Sequence, residues 1–191
     1  TAPDSFGVQL DEVAYPILMA RTVGLTDAAF YSDEIRPAAD FLVARGPAFG
    51  AERWEEQSGW SPSTIAAEIA GLTAAGAIAE LNGDTTRARI YRATADHYQR
   101  SIKGWTVTAN GPLSSDPYFI RLSKNADPNS EFFYNLGNGG PDADQRAVID
   151  AGFLELARLG ILPTDDADIA NSLDVVDAVT TDIAPDADAA A

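Results

Sequence analysis

Apolar residues recur along most of this chain at the three-and-four spacing of an amphipathic helix. Leu10, Val13, Ala14, Ile17 and Leu18 form one stripe, which predicts a helix over about 8–23 that stops at Gly24. Ile35, Ala38, Ala39, Leu42 and Val43 form a second, entered after Ser32-Asp33, with Pro37 in its first turn and Gly46 at its end. Ser61-Pro62 places a capping hydroxyl before a proline at the first helical position, and Ile65, Ile69, Leu72, Ala75, Ile78 and Leu81 keep one face apolar up to Asn82-Gly83. Asp84 is placed to cap a helix carrying Tyr91, Ala95, Tyr98 and Ile102 as far as Gly104. Residues 62–103 therefore read as an antiparallel helical hairpin with a very short turn.

The period fails between Trp105 and Pro141, where Gly111-Pro112, Asp116-Pro117, Asp127-Pro128 and Gly137-Asn138-Gly139-Gly140-Pro141 punctuate short apolar pieces. Thr106-Val107-Thr108 and Tyr118-Phe119-Ile120-Arg121-Leu122 are the natural partners of a small hairpin, so 105–141 is predicted to be a loop and β-hairpin insertion that serves as a binding rim. Helical spacing resumes from Asp144 through Val148, Ile149, Phe153, Leu156 and Leu159 to Gly160, and a last helix is expected around 166–180 on Ile169, Leu173, Val176 and Val179. The tail 184–191 holds little beyond alanine and aspartate and is expected to fray. Six helices without a sheet of any size predict an all-α chain.

Composition narrows the chemistry. Asp and Glu total 29 against 13 Lys and Arg, a net charge of −16, which repels phosphate backbones and anionic lipid, so neither nucleic acid nor membrane is an expected partner. No uncharged apolar stretch approaches the roughly 18–20 residues of a membrane span, and Thr1-Ala2-Pro3-Asp4 lacks the features of a signal peptide, so the chain reads as soluble and untargeted. The absence of cysteine excludes disulfides, thiolate metal sites and a cysteine nucleophile, and the single histidine, His97, reads as structural beside Tyr91, Tyr98 and Arg100. Asp165, Asp166 and Asp168 lack the spacing of a calcium loop and read as capping residues, so no cofactor or metal is expected. The chemistry rests on carboxylates.

Their most unusual setting is Glu52-Arg53-Trp54-Glu55-Glu56-Gln57-Ser58-Gly59-Trp60, a loop between two predicted helices. Carboxylates and a guanidinium beside flat indoles suit a sugar, whose hydroxyls need hydrogen bonds and whose ring has an apolar face. A carboxyl group desolvated by an indole, with a second carboxylate adjacent, is pushed toward holding the proton that a glycosidic oxygen needs on leaving. The same composition suits a solvated acidic loop whose indoles plug helix ends, with Trp54 in the core, and the spacing does not choose between them.

Arg53-Trp54-Glu55-Glu56-Gln57-Ser58-Gly59, followed by Ser61-Pro62-Ser63-Thr64-Ile65-Ala66-Ala67, resembles the catalytic-acid segment of glycoside hydrolase family 15, the glucoamylases and glucodextranases. Val8-Gln9-Leu10-Asp11-Glu12 resembles that family's Gln-x-Asp helix, and the run from Asp150-Ala151-Gly152-Phe153 to Arg158-Leu159-Gly160 resembles a later helical segment. The likeness covers about residues 5–180, and Lys103–Leu113 with Tyr118–Leu122 look more like the bacterial glucodextranase branch than the fungal one. The resemblance implies that 1–191 is a partial catalytic domain, about half of an (α/α)6 barrel of six inner and six outer helices. It implies an inverting, exo-acting hydrolase that releases glucose from the non-reducing ends of α-glucan oligosaccharides or polysaccharides, with Glu55 as general acid, Glu56 holding a sugar hydroxyl, and Arg53 and Trp54 lining the innermost subsite.

Inversion needs a second carboxylate roughly 6.5–9.5 Å from the acid to activate water. The family's base lies in a later segment without a counterpart here, and Asp11, Glu12, Asp116 and Asp127 read as capping and turn residues. The isolated chain is therefore expected to be inactive, with a complementary chain completing the barrel as its partner. The family's polymeric substrates imply secretion to the extracellular space. The competing reading is a non-catalytic helical module that binds sugar or protein.

Overall fold

In the computed structural model, which describes residues 7–183, most of the helical stripes become the core. α1 (Leu10–Val23) ends at Gly24, whose left-handed φ of 81° lets its amide turn back to the Ala20 carbonyl. The second helix starts before its periodicity implies, because Asp27 Oδ1 accepts the Ala29 and Phe30 amides, both at 3.1 Å. It begins as α2 (Ala28–Phe30), widens through a π turn at Tyr31–Ile35 and continues as α3 (Arg36–Arg45). Ser32 and Asp33 thus lie inside the helix, and Asp27 is the cap that satisfies its free amides.

α4 (Pro62–Leu81) is the central element, buried on nearly all sides from Pro62 to Ala79. Its run of Ala and Gly lets backbones approach: a Cβ on Gly71 would stand 2.9 Å from the Ala14 carbonyl oxygen of α1. By length and composition α4 is apolar enough to cross a membrane, yet most of that stretch is buried inside the protein, as a core helix is. Ser61 does not cap it; its hydroxyl pairs with that of Ser63 at 3.1 Å. Asp84 does cap α5 (Thr85–Thr106), accepting the Arg87 amide at 3.0 Å, and the helix passes Gly104 to reach Thr106. α4 and α5 form the expected antiparallel hairpin, with α1 and α3 packed on α4.

β1 (Val107–Thr108) pairs antiparallel with β2 (Tyr118–Phe119), Val107 opposite Phe119, as predicted. A second ribbon, β3 (Phe133–Asn135) with β4 (Asp142–Asp144), forms where only loop was expected. The helix expected from Asp144 to Gly160 is replaced by a 3-10 turn at Gln145–Ala147, an extended stretch through Val148, and the short α6 (Leu154–Arg158). Local bonds win there. Asp144 accepts the Arg146 amide at 3.1 Å, Val148 gives its carbonyl to the Arg121 amide at 2.8 Å, and Asp150 accepts the Gly152 amide at 2.8 Å. The apolar side chains are still used: Phe153 stacks on Phe119 at 5.8 Å between ring centres, and Leu156 is fully buried.

α7 (Ala167–Ile183) covers β2, with Ser172 Oγ accepting the Phe119 amide at 2.8 Å over a small core of Tyr118, Ile120 and Val175. Asp166 Oδ1 accepts the Asp168 amide at 3.1 Å, and both carboxylates pair with Lys103, in keeping with capping. His97 is exposed and meets Trp105 edge-on. The predicted frayed tail, 184–191, lies outside the described residues.

Candidate active site

The segment 51–60 joins α3 to α4. The Glu52 amide donates to the Gln57 carbonyl and the Glu55 amide to the Glu52 carbonyl, both at 2.8 Å, which closes a tight turn. Closing it drives Glu55 into the left-handed region at φ 64°, a cost of about 1–2 kcal/mol for a residue with a Cβ. The strain has a use. Glu55 is exposed, and among the described residues no hydrogen bond or ion pair reaches its carboxylate.

The structure brings the four anticipated residues together. Trp54 is half exposed, so it is not a core residue, and its Nε1 donates to Asp150 Oδ2 at 2.7 Å. Trp60, by contrast, packs against the core and exchanges backbone hydrogen bonds with Ser123. Glu56 accepts from Asn138 Nδ2 at the tip of the β3–β4 ribbon and lies 3.5 Å from Arg121 Nη2. Gly137, at φ 85°, permits this approach, because a Cβ there would stand 2.6 Å from Glu56 Oε2. Trp54, Glu55, Glu56 and Asn138 line a recess of about 250 Å³. Arg53 stands outside it; its guanidinium carbon lies 5.0 Å from the centre of the Trp54 ring, covering one indole face.

Burial falls on Glu52, at 2% exposure, and Glu55 is open to solvent. Burial pushes the Glu52 carboxyl up, and Arg121 opposes this with a bond of 2.6 Å to Oε1. Glu52 Oε2 also accepts the Trp54 amide at 3.2 Å, so this carboxylate supports the turn from beneath. Lys124 gives Nζ to Gln57 Oε1 at 3.0 Å and to the Ser58 carbonyl at 2.6 Å, and burial lowers its ammonium. Tyr134 is pushed up to about 12 by burial, and neither its hydroxyl nor Arg121 Nε has a hydrogen-bond partner among the described residues.

Arg121, Lys124, Asn138 and Asp150 are the supporting residues that sequence reasoning missed. One signal was present: Arg121 interrupts the apolar run Tyr118-Phe119-Ile120-Arg121-Leu122, and a cation carried into a core needs a buried anion. Nothing in the sequence named Glu52 as that anion. Below the loop, Asp11 Oδ1 and both oxygens of Glu68 are buried without hydrogen bonds, while the Asp11 carboxylate also meets the first-turn amides of Asp11 and Glu12. Among the described residues no group of three or more His, Cys, Asp or Glu is arranged to hold a metal. What remains is an unencumbered carboxyl group beside a fixed indole and a tethered carboxylate, an arrangement able to bind a sugar ring and donate a proton to an oxygen on it.

The chain is similar to known proteins over nearly its whole length. Residues 2–187 match the sequence profile of the Glycosyl hydrolases family 15. A glucoamylase of Clostridium sp. (strain G0005) is 46% identical over 171 residues, covering 90% of this chain and 24% of that protein. The crystal structure of a bacterial glucoamylase complexed with acarbose superimposes with a TM-score of 0.87 at 45% identity, over 90% of this chain and 25% of the other. The chain thus spans about a quarter of the length of these relatives, and its helices are part of an (α/α)6 barrel.

Proposed function

The chain belongs to glycosyl hydrolases family 15, and from that premise we propose that it carries the acid half of an inverting, exo-acting glycosidase that releases glucose from the non-reducing ends of α-glucans. Glu55 is the general acid: it protonates the glycosidic oxygen as the bond from that oxygen to the anomeric carbon breaks. Water activated by a base outside this chain adds to the opposite face of the sugar, inverting its configuration. Glu56 accepts from a sugar hydroxyl, Trp54 packs against the ring, and Arg53 braces the far face of the indole. The carrying observation is the free carboxylate of Glu55, exposed on a strained turn whose flanking Trp54 and Glu56 are tied down.

The base and the outer subsites come from a complementary part of the barrel, and the protein works outside the cell on polymeric glucan. The test supplies the remaining family domain, in trans or fused, and assays glucose release from maltooligosaccharides and from dextran. Release of the β-anomer, seen by proton NMR, supports the reading, and dextran turnover places the enzyme with the glucodextranases. Glu55→Gln should abolish turnover and leave acarbose binding and melting temperature nearly unchanged. Full turnover in Glu55→Gln overturns the assignment, and a reconstituted barrel that binds acarbose without hydrolysis favours a binding module.

A further inference from the structure

Asn-Gly occurs three times, at Asn82-Gly83, Asn110-Gly111 and Asn138-Gly139. In this dipeptide asparagine is most prone to deamidate, because glycine has no Cβ to keep its amide nitrogen from the side-chain carbonyl carbon before it. The structure separates the three. Asn82 is half-buried at the end of α4; its Nδ2 donates to the Thr26 and Ile78 carbonyls at 3.0 and 2.9 Å, and the Gly83 amide donates to the Glu80 carbonyl at 3.0 Å. Asn110 is held at both ends of its side-chain amide, Nδ2 donating to the Asn129 carbonyl at 3.1 Å and Oδ1 accepting from Thr108 Oγ1 at 3.2 Å. Gly111 beside it is pressed against Tyr118, whose hydroxyl a Cβ would meet at 1.9 Å.

Asn138-Gly139 is open. Both residues are exposed at the centre of the turn joining β3 to β4, with φ of 45° and 79°, and the Gly140 amide closes that turn on the Gly137 carbonyl at 2.7 Å. Among the described residues the Gly139 amide has no hydrogen-bond partner, and nothing beyond its chain neighbours lies within 4 Å of where its Cβ would stand. One bond, from Nδ2 to Glu56 Oε1, is all that ties the Asn138 side chain among them.

We propose that Asn138 is a site of spontaneous deamidation, and that the change falls on the recess read above as the sugar site. The Gly139 nitrogen attacks Asn138 Cγ: a C–N bond forms, the Cγ–Nδ2 bond breaks, and ammonia leaves with the proton that the nitrogen gave up. Water then opens the succinimide at either carbonyl, giving aspartate or isoaspartate. Aspartate has no N–H to give Glu56, and isoaspartate also lengthens the turn's backbone, so the bond from the ribbon to Glu56 is lost from the recess. The modification itself does not depend on the proposed activity; its effect on sugar binding rests on that reading.

The test incubates this chain in mildly alkaline buffer, folded and unfolded in urea, and follows the three Asn-Gly peptides by mass spectrometry with isoaspartate resolved. In the folded chain Asn138 should convert severalfold ahead of Asn82 and Asn110, and in urea the three should converge, because only the dipeptide then sets the rate. A folded chain in which Asn82 or Asn110 converts as fast as Asn138, or in which Asn138 keeps its amide while the urea sample loses it, overturns the proposal. In the completed barrel Asn138→Asp should bind acarbose about fivefold more weakly than the parent, the worth of a single hydrogen bond. Undiminished affinity there overturns the consequence for sugar binding and leaves the modification standing. A parent barrel that binds acarbose and converts as stated, yet releases no glucose, overturns the proposed activity alone.

Discussion

The indole of Trp54 is anchored to Asp150 by a 2.7 Å hydrogen bond between residues 96 positions apart. Asp150 is itself fixed, its other oxygen accepting the Gly152 amide at 2.8 Å. An indole held at both its backbone and its nitrogen offers a flat surface without first losing rotamer freedom, which favours binding of a rigid sugar ring.

Asp150→Ala should therefore free the indole. Trp54 Nε1 exchanges its proton faster, its fluorescence loses anisotropy, and acarbose affinity in the completed barrel falls about tenfold, the worth of a hydrogen bond to a charged group. Asp150→Asn keeps an acceptor oxygen and should retain most of the affinity. Calorimetry on the two variants decides: equal losses would mean that charge, and not anchoring, is what Asp150 contributes.

The left-handed backbone of Glu55 predicts an inverted ranking of two substitutions. Glu55→Gly should be more stable than Glu55→Ala by about 1 kcal/mol, because both lack the carboxylate and only alanine keeps the Cβ penalty. For a chain of this size the difference amounts to roughly 2–4 °C in melting temperature. Calorimetric scans giving alanine the higher value would show that the turn relaxes without its acid.

Glu68 predicts a pH dependence. It is fully buried on α4 without a hydrogen bond, and burial, aided by the Asp11 carboxylate, raises its pKa well above the ordinary 4.5. Asp11 from α1 and Tyr98 from α5 are the ionisable groups that act on it, and neither supplies positive charge. The folded state thus holds this proton more tightly than the unfolded chain. The corresponding stability is complete below the unfolded value and is lost as pH rises through the folded one. Glu68→Met should flatten the profile and stabilise the protein at pH 7 by on the order of 2 kcal/mol. Urea midpoints across the acid-to-neutral range test this, and a parent chain more stable at neutral than at acid pH, with the variant following it, would contradict it.

Gly71→Ala sets two effects against each other. Alanine favours a helix interior by about 1 kcal/mol over glycine. Its Cβ would meet the Ala14 carbonyl oxygen at 2.9 Å and the Ala14 Cα at 3.0 Å, both backbone atoms that give only if α1 shifts. Overpacking costs about 1–3 kcal/mol, so the net effect should be destabilisation, read as a lowered urea midpoint with an unchanged slope.

The sequence exposed those parts of the fold that are fixed by neighbours along the chain. α1, α4, α5 and α7 follow from their apolar spacing, and β1 with β2 from the failure of that spacing after Trp105. The start of α2 was hidden because Asp27 lies before any periodic residue and only its side-chain bonds mark it as the cap. The helix expected from Asp144 to Gly160 was misleading for the opposite reason: Phe153 and Leu156 keep a helical interval, but their burial is achieved by a bent path pinned at Val148 and Asp150. In the site, Arg53, Trp54, Glu55 and Glu56 were legible because they are contiguous. Arg121, Asn138 and Asp150 were not, because their partners lie 69, 82 and 96 residues away and nothing local constrains them to meet.

Those separations impose an order of assembly. As the chain leaves the ribosome, α4 and α5 find each other across the short turn at Asn82-Gly83 and offer a helical platform early. The turn carrying Glu55 is made after α3 and before α4 and α5, yet its anchors Arg121, Lys124, Asn138 and Asp150 are synthesised long afterwards. Until they arrive, only the turn's own two backbone hydrogen bonds hold Glu55 in a left-handed backbone. Its surroundings are supplied from later in the chain, so in a nascent protein the recess around Glu55 is complete only after most of this segment has been translated.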